Sequence, residues 1–290
     1  MSSKRFCRLW RNFSRILLVI GTSPLACASA EVYRISTKAR ASEAEILSEA
    51  EKAQVIILSE VHSFVSAPND SVQEDIADFL RTWSSSRTGG YVMAWEFLSF
   101  SEQSAFQEDW QRLSRREYLD RYTGSATSLS YARVLEVAQQ AGASFWALNL
   151  PSGEKKKVSR GGRSMLTKEF LPLQSFPISP RYEFRLREAF APMLNSHGQG
   201  QLKIENLIES QWLVDEIMAE RILQKSSQSP LVALIGSFHT DEFDGVVRSL
   251  LLREPSLKIL VLRWTRKSLG DPRELLEHKP PLADYLWILD

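Results

Sequence analysis

The chain has 290 residues, of which 43% are hydrophobic and 24% charged, with a formal net charge of +1. This composition excludes a disordered chain, a collagen and a coiled coil, and the length suits one large α/β domain or two small ones. Five bases and no acid fall in the first 30 residues, so residues 31–290 carry 31 bases against 35 acids. Such a mildly acidic body offers no general nucleic-acid face.

Lys4, Arg5, Arg8, Arg11 and Arg15 precede a short apolar run, Ile16–Gly21, and small residues follow to Ala28-Ser29-Ala30. That order predicts a signal peptide over 1–30 and an exported, periplasmic chain from Glu31. The run is shorter than the roughly 20 apolar residues a membrane span needs. A lipoprotein signal is the alternative, with Leu25-Ala26-Cys27 offering Cys27 for membrane anchoring, although Pro24 stands where such signals usually have an aliphatic residue. Cys7 and Cys27 are the only cysteines. A chain beginning at Glu31 therefore has no disulfide, cysteine nucleophile, zinc-thiolate site or iron–sulfur cluster.

Six apolar runs read as strands: Val55–Leu58, Tyr91–Trp95, Ser144–Leu148, Leu231–Ile235, Ile259–Leu262 and Tyr285–Leu289. Most are continuously apolar, as in strands covered on both faces. Helical patterns lie at Ser42–Lys52, Val72–Trp83, Glu102–Leu113, Tyr131–Gln140, Leu202–Gln224 and Phe243–Arg253. The alternation predicts one α/β domain over 31–290, a three-layer α/β/α unit around a mostly parallel sheet of about six strands. Residues 151–200 break the rhythm with Lys155-Lys156-Lys157, Gly161-Gly162 and prolines at 172, 177, 180 and 192. They read as an insertion of short helices beside the sheet. Its basic start is either a solvated helix face or an anion-binding wall for carboxylates or phosphate.

Ligands of open α/β sheets bind beyond the carboxyl ends of the strands. Glu60 and His62 follow the first predicted strand, Glu96 the second, Asn149 the third, and Gly236-Ser237-Phe238-His239 the fourth. Converging on one edge, Glu60, His62, Glu96 and His239 suit a divalent metal ion, with a glutamate available as general base. Alternatively each is a separate loop residue satisfied by backbone. His197 and His278 lie in polar surroundings and read as surface histidines.

On the long helix from Leu202, Ile204, Leu207, Ile208, Val214, Met218 and Ile222 form one stripe, and Gln211 and Asp215 fall inside it. Glu205, Glu209, Glu216 and Glu220 are expected on the wet face. A carboxylate and an amide within an apolar stripe need partners. They either tie loops together or orient the ligand-bearing residues.

Several pieces, taken in order, resemble the ChaN-like haem-binding uptake proteins of the Tiki/TraB/erythromycin-esterase superfamily. They are Ile57-Leu58-Ser59-Glu60-Val61-His62, Trp95-Glu96-Phe97 with Gln103, and Ala147-Leu148-Asn149-Leu150-Pro151. Arg160-Gly161-Gly162, Gln211-Trp212 with Asp215 and Met218-Ala219, Gly236 with His239, and Ala283-Asp284-Tyr285-Leu286-Trp287 come after them. Two departures stand out: Ser59 replaces a usual glycine, and the histidine pair that often follows the first motif is replaced by residues 63–70.

The resemblance implies an α/β/α fold, an exported and often lipid-anchored bacterial protein, and haem binding linked to iron supply. Haem iron takes tyrosine or histidine axially, so Tyr122, Tyr131, His62 and His239 are the candidate ligands. Lys155–Lys157, Arg160 and Arg163 are candidates for the propionates, and Asn149 for a further cofactor contact. Related branches are metal-dependent hydrolases or proteases, whose elements map onto Glu60, His62, Glu96, Gly236 and His239. Three functions are open: a haem binder, a metal-dependent hydrolase and a non-catalytic scaffold. Haem or another small ligand is the expected partner and nucleic acid is not; anchoring through Cys27 and homodimer formation stay open.

Overall fold

The computed structural model describes residues 30–61, 71–123, 130–196 and 202–290. Eight strands form one sheet: β1 (Glu31–Arg34), β2 (Ala39–Arg40), β3 (Val55–Glu60), β4 (Val92–Ser99), β5 (Ser144–Asn149), β6 (Leu231–Gly236), β7 (Ile259–Arg266) and β8 (Tyr285–Leu289). Their order is β2-β1-β8-β7-β3-β6-β4-β5. The six predicted strands are all present and run parallel. The two additional strands, β1 and β2, add antiparallel to the β8 edge. They escape a search for apolar runs because an edge strand needs no apolar face: β1 is only partly buried and both residues of β2 are exposed.

The central strands are buried on both faces, and their alternate side chains feed two cores. Ile56 and Leu58 of β3 enter one core and Val55 and Ile57 the other. The first core is covered by α1 (Glu43–Ala50), α2 (Ser71–Ser85), α3 (Gln103–Arg112), α4 (Arg115–Tyr122) and α5 (Tyr131–Gln140). In it Trp264 stacks on Trp287 at 4.7 Å. The second is covered by α6 (Ser152–Gly161), α8 (Ile204–Ser226) and α9 (Gly245–Arg253), with α10 (Pro272–Glu277) at its margin. Among the described residues, no helix is long and apolar enough to cross a membrane.

Residues 151–196 contain no strand, as expected, but their main element is not short. α7 spans Pro180–Ser196 and lays Tyr182 and Leu186 against Ile208 of α8. Ser179 caps it by accepting from the Tyr182 N–H at 3.1 Å, and Pro180 sits at its first position, where a missing N–H costs nothing. The wheel of α8 needs a correction. Glu216 is not on a wet face but is 2% exposed. It accepts from Ser249 Oγ at 2.9 Å and from Arg253 at 2.6 Å. α9 packs on α8 there, so seven consecutive residues, Leu213–Ala219, are buried.

Candidate functional site

Of the residues predicted at strand exits, Glu60, Glu96, Asn149 and His239 gather at the carboxyl edge of the sheet, but strand parity divides the two glutamates between its faces. Glu60 follows Ile56 and Leu58 onto the α2–α5 face. There it is fully buried, accepting from Gln73 Nε2 at 2.5 Å and from the Tyr131 hydroxyl. Tyr131 is itself buried, with its hydroxyl pKa pushed far up by burial and then by the Glu60 charge. Glu96 follows Val92 and Ala94 onto the α8 face, where its carboxylate accepts the Gly236 N–H at 2.7 Å. Ser59, between the two, hydrogen-bonds Thr240 at 2.6 Å.

His239 lies in the turn that leaves β6. Its Nδ1 is 2.5 Å from Asp215 Oδ1 and its Nε2 is 3.8 Å from Glu96 Oε2. An ionised carboxylate only accepts, so Nδ1 carries a proton. The Gln211 amide nitrogen lies against the edge of the ring, 2.8 Å from Nδ1 and 3.2 Å from Nε2. Asp215 is 1% exposed. Burial raises its pKa, and the His239 charge and hydrogen bond oppose that rise. The hydroxyl of Tyr182 closes the chain on Asp215 Oδ2. Gln211 and Asp215, the two polar residues of the α8 stripe, are thus the residues that orient His239.

The turn after His239 is conformationally demanding. Glu242, Phe243 and Gly245 all have positive φ, a region that side chains other than glycine rarely occupy. Arginines hold it: Arg263 reaches Asp241 at 2.6 Å, Arg181 reaches Asp244 at 2.8 Å, and Arg185 donates to the Asp241 carbonyl at 2.7 Å. Sequence reasoning missed Tyr182, Arg181 and Arg185. The available signals were the Ser179-Pro180 helix start and the Tyr182, Leu186, Phe190 spacing of an amphipathic helix.

Beyond β4 and β5 lies a cavity of about 380 Å³ whose walls include Phe97, Ser99, Tyr122, Asn149, Ser152 and Lys155. Asn149 donates to the Glu96 carbonyl at 2.7 Å, while its Oδ1 is buried with no hydrogen-bond partner among the described residues. Tyr122 donates to Asp109 Oδ2 at 2.6 Å, and Arg121 pairs with the same carboxylate. Burial lowers the pKa of the Lys155 ammonium, and the Glu96 charge partly restores it. Arg160 is exposed and does not line this cavity.

His62 and His197 lie outside the described residues. His278 is exposed, with Nδ1 2.9 Å from the Pro280 carbonyl oxygen. Among the described residues, no three His, Cys, Asp or Glu side chains form a group that could hold a metal ion.

These features define an α/β/α protein with a His–Asp pair whose carboxylate is buried and a separate polar cavity at one sheet edge. The sequence model for haem-binding uptake proteins, Tiki superfamily, ChaN, matches residues 46–250, and the chain belongs to that family. A solved structure described as cofacial haem binding to ChaN of Campylobacter jejuni aligns with a TM-score of 0.70 at 17% identity. It covers 90% of this chain and 97% of that one, a likeness that shows the fold. An erythromycin esterase mutant, EreC in its open conformation, aligns with a TM-score of 0.44 at 13% identity, over 82% of this chain and 77% of that one. No curated protein sequence matches significantly.

Proposed function

We propose that this chain binds haem at the carboxyl edge of its sheet and serves iron uptake after export. The observation that carries the reading is the cavity beyond β4 and β5, where a phenol, an aromatic face and an amine stand together. These residues fit haem: Tyr122 for the iron, Phe97 for the ring and Lys155 for a carboxylate. Of the two tyrosines considered, Tyr131 is 2% exposed and its hydroxyl is engaged by Glu60, whereas Tyr122 borders the cavity.

Bound haem supplies a ferric ion whose charge favours phenolate over phenol. In its absence, burial and then the Asp109 hydrogen bond raise the Tyr122 pKa. Asp109 is the acceptor already placed for the phenol proton, and Arg121 offsets its charge.

A haemin titration of the purified chain, followed by absorbance, tests the reading. The expected result is a saturable, shifted Soret band that is lost or moved in Tyr122→Phe and kept in Tyr131→Phe. An unshifted spectrum refutes haem binding. Release of the segment 1–30 belongs to the same proposal. Cleavage after Ala30 would leave β1, which begins at Glu31, whole. Mass spectrometry of the mature N-terminus distinguishes a free Glu31 from a lipidated Cys27.

A hydrolytic reading has its own support in the His239–Asp215 bond, which holds the imidazole with Nε2 3.8 Å from Glu96. A panel of esters and peptides, with and without added divalent ions, tests it. Turnover abolished in His239→Ala is the result that would favour it.

A further inference from the structure

The basic start of α6 carries three consecutive lysines, and the helix places them differently. Lys156 and Lys157 are exposed, and Lys157 pairs with Glu154 at 2.8 Å. Arg160 and Arg163 are also exposed; Arg163 lies 3.7 Å from Glu209. Lys155 alone turns inward and lines the cavity beyond β5. No hydrogen bond or ion pair joins its ammonium to the described residues. Lys155 is half-buried, and an ammonium partly withdrawn from water is favoured by an anion that can hydrogen-bond it.

The rest of the wall is built for the same charge. Ser152 and Gly153, the first two residues of α6, line the cavity. Backbone N–H groups in the first turn of a helix have no partner within the helix, so they are available to an anion. Ser99 and Ser101 hydroxyls stand on the β4 side. Glu102 is at the rim, and Glu96, the carboxylate that supports the Lys155 charge, is buried behind it. The partnerless Asn149 Oδ1 on the same wall calls for a donor, which a water accompanying the anion supplies.

We infer that Lys155 and the first turn of α6 form a seat for a ligand carboxylate, which on the haem reading above, and resting on it, is a propionate. The exposed Lys156, Lys157, Arg160 and Arg163 take no part in it. Lys155 is then a binding residue for the acid group and not for the ring or the iron.

The test compares haemin with its dimethyl ester, whose propionates carry no charge, on the wild-type chain and on Lys155→Ala, Lys155→Arg and Lys156→Ala. Tryptophan quenching and the Soret shift give the affinities. Wild type is expected to bind haemin more tightly than the ester by on the order of tenfold. Lys155→Ala should lose that preference by weakening haemin alone. Lys155→Arg should keep most of it, and Lys156→Ala all of it. A wild type that binds haemin and ester equally, with Lys155→Ala unchanged, overturns the inference and leaves the haem reading standing. Equal weakening of both ligands in Lys155→Ala also overturns it, because that is a packing effect. No haemin binding by the wild type overturns both.

Discussion

Replacing Asp215 by asparagine tests the idea that one buried carboxylate organises the His239 site. The substitution keeps volume and removes one acceptor. Asp215 is 1% exposed and accepts two hydrogen bonds, one on each oxygen, from His239 Nδ1 and from the Tyr182 hydroxyl. An asparagine has one carbonyl oxygen and one NH2, so with the proton kept on His239 Nδ1 one of the two donors faces another donor. A buried donor left without an acceptor costs about 1–3 kcal/mol. Against this, a neutral amide is cheaper to bury than a carboxylate whose pKa burial already raises.

The net expectation for Asp215→Asn is a loss of about 1–2 kcal/mol in urea unfolding at pH 7, read from the midpoint at constant m. The same substitution made in Tyr182→Phe, where one donor is already gone, should cost about 1 kcal/mol less. Strict additivity of the two substitutions would refute the shared acceptor.

Other substitutions probe the frame around the site. Asp284, at the start of β8, accepts the Val261 N–H at 2.8 Å, and burial raises its pKa to about 6. With an unfolded value near 4, the folded state holds the extra proton, so stability falls as pH rises from about 4 to about 6. Asp284→Asn should flatten that fall and raise stability at pH 7 by about 2–3 kcal/mol; thermal melts from pH 4 to pH 8 show it. Arg253→Met leaves the buried Glu216 without its cation and should cost about 3–5 kcal/mol, measured by chemical denaturation. Gly245→Ala puts a Cβ against the His239 carbonyl at a positive φ and should destabilise by about 2 kcal/mol or more while displacing the His239 ring resonances in NMR spectra.

The sheet interior was legible because burial on both faces leaves a plain mark: continuous runs such as Val55–Leu58 and Leu231–Ile235. The edge strands carry no such mark. α4, a run of charged residues, announces itself only through Ser114 and Glu117, which form a capping box with Glu117 accepting the Ser114 N–H at 2.9 Å. The reading of Glu216 as wet failed for a different reason. A helical wheel reports one buried face, and α8 is covered on several sides by the sheet, α7 and α9.

The placement of Glu60, Glu96 and His239 at one end of the sheet was legible, but their arrangement was not. Glu60 and Glu96 both end parallel strands, and each strand's own parity says which neighbours it shares a face with: Leu58 for Glu60, Ala94 for Glu96. What one sequence withholds is the register between strands, here Leu58 beside Leu234 and Ala94 beside Ala233. That register sends the first glutamate to α2 and α5 and the second to α8. One edge therefore holds two carboxylates with separate partners: Glu60 bonded to Gln73 and Tyr131, and Glu96 bonded to Gly236 near His239.

The segment that breaks the strand–helix rhythm then acquires a role. α7 brings Tyr182 to Asp215, and Arg181 and Arg185 to the left-handed turn after His239. α6 brings Lys155 to the cavity beside Glu96. Strand ends supply Glu60, Glu96 and His239, and the two inserted helices supply side chains that surround the latter two. A search confined to the residues just past each strand finds the first set and misses the second.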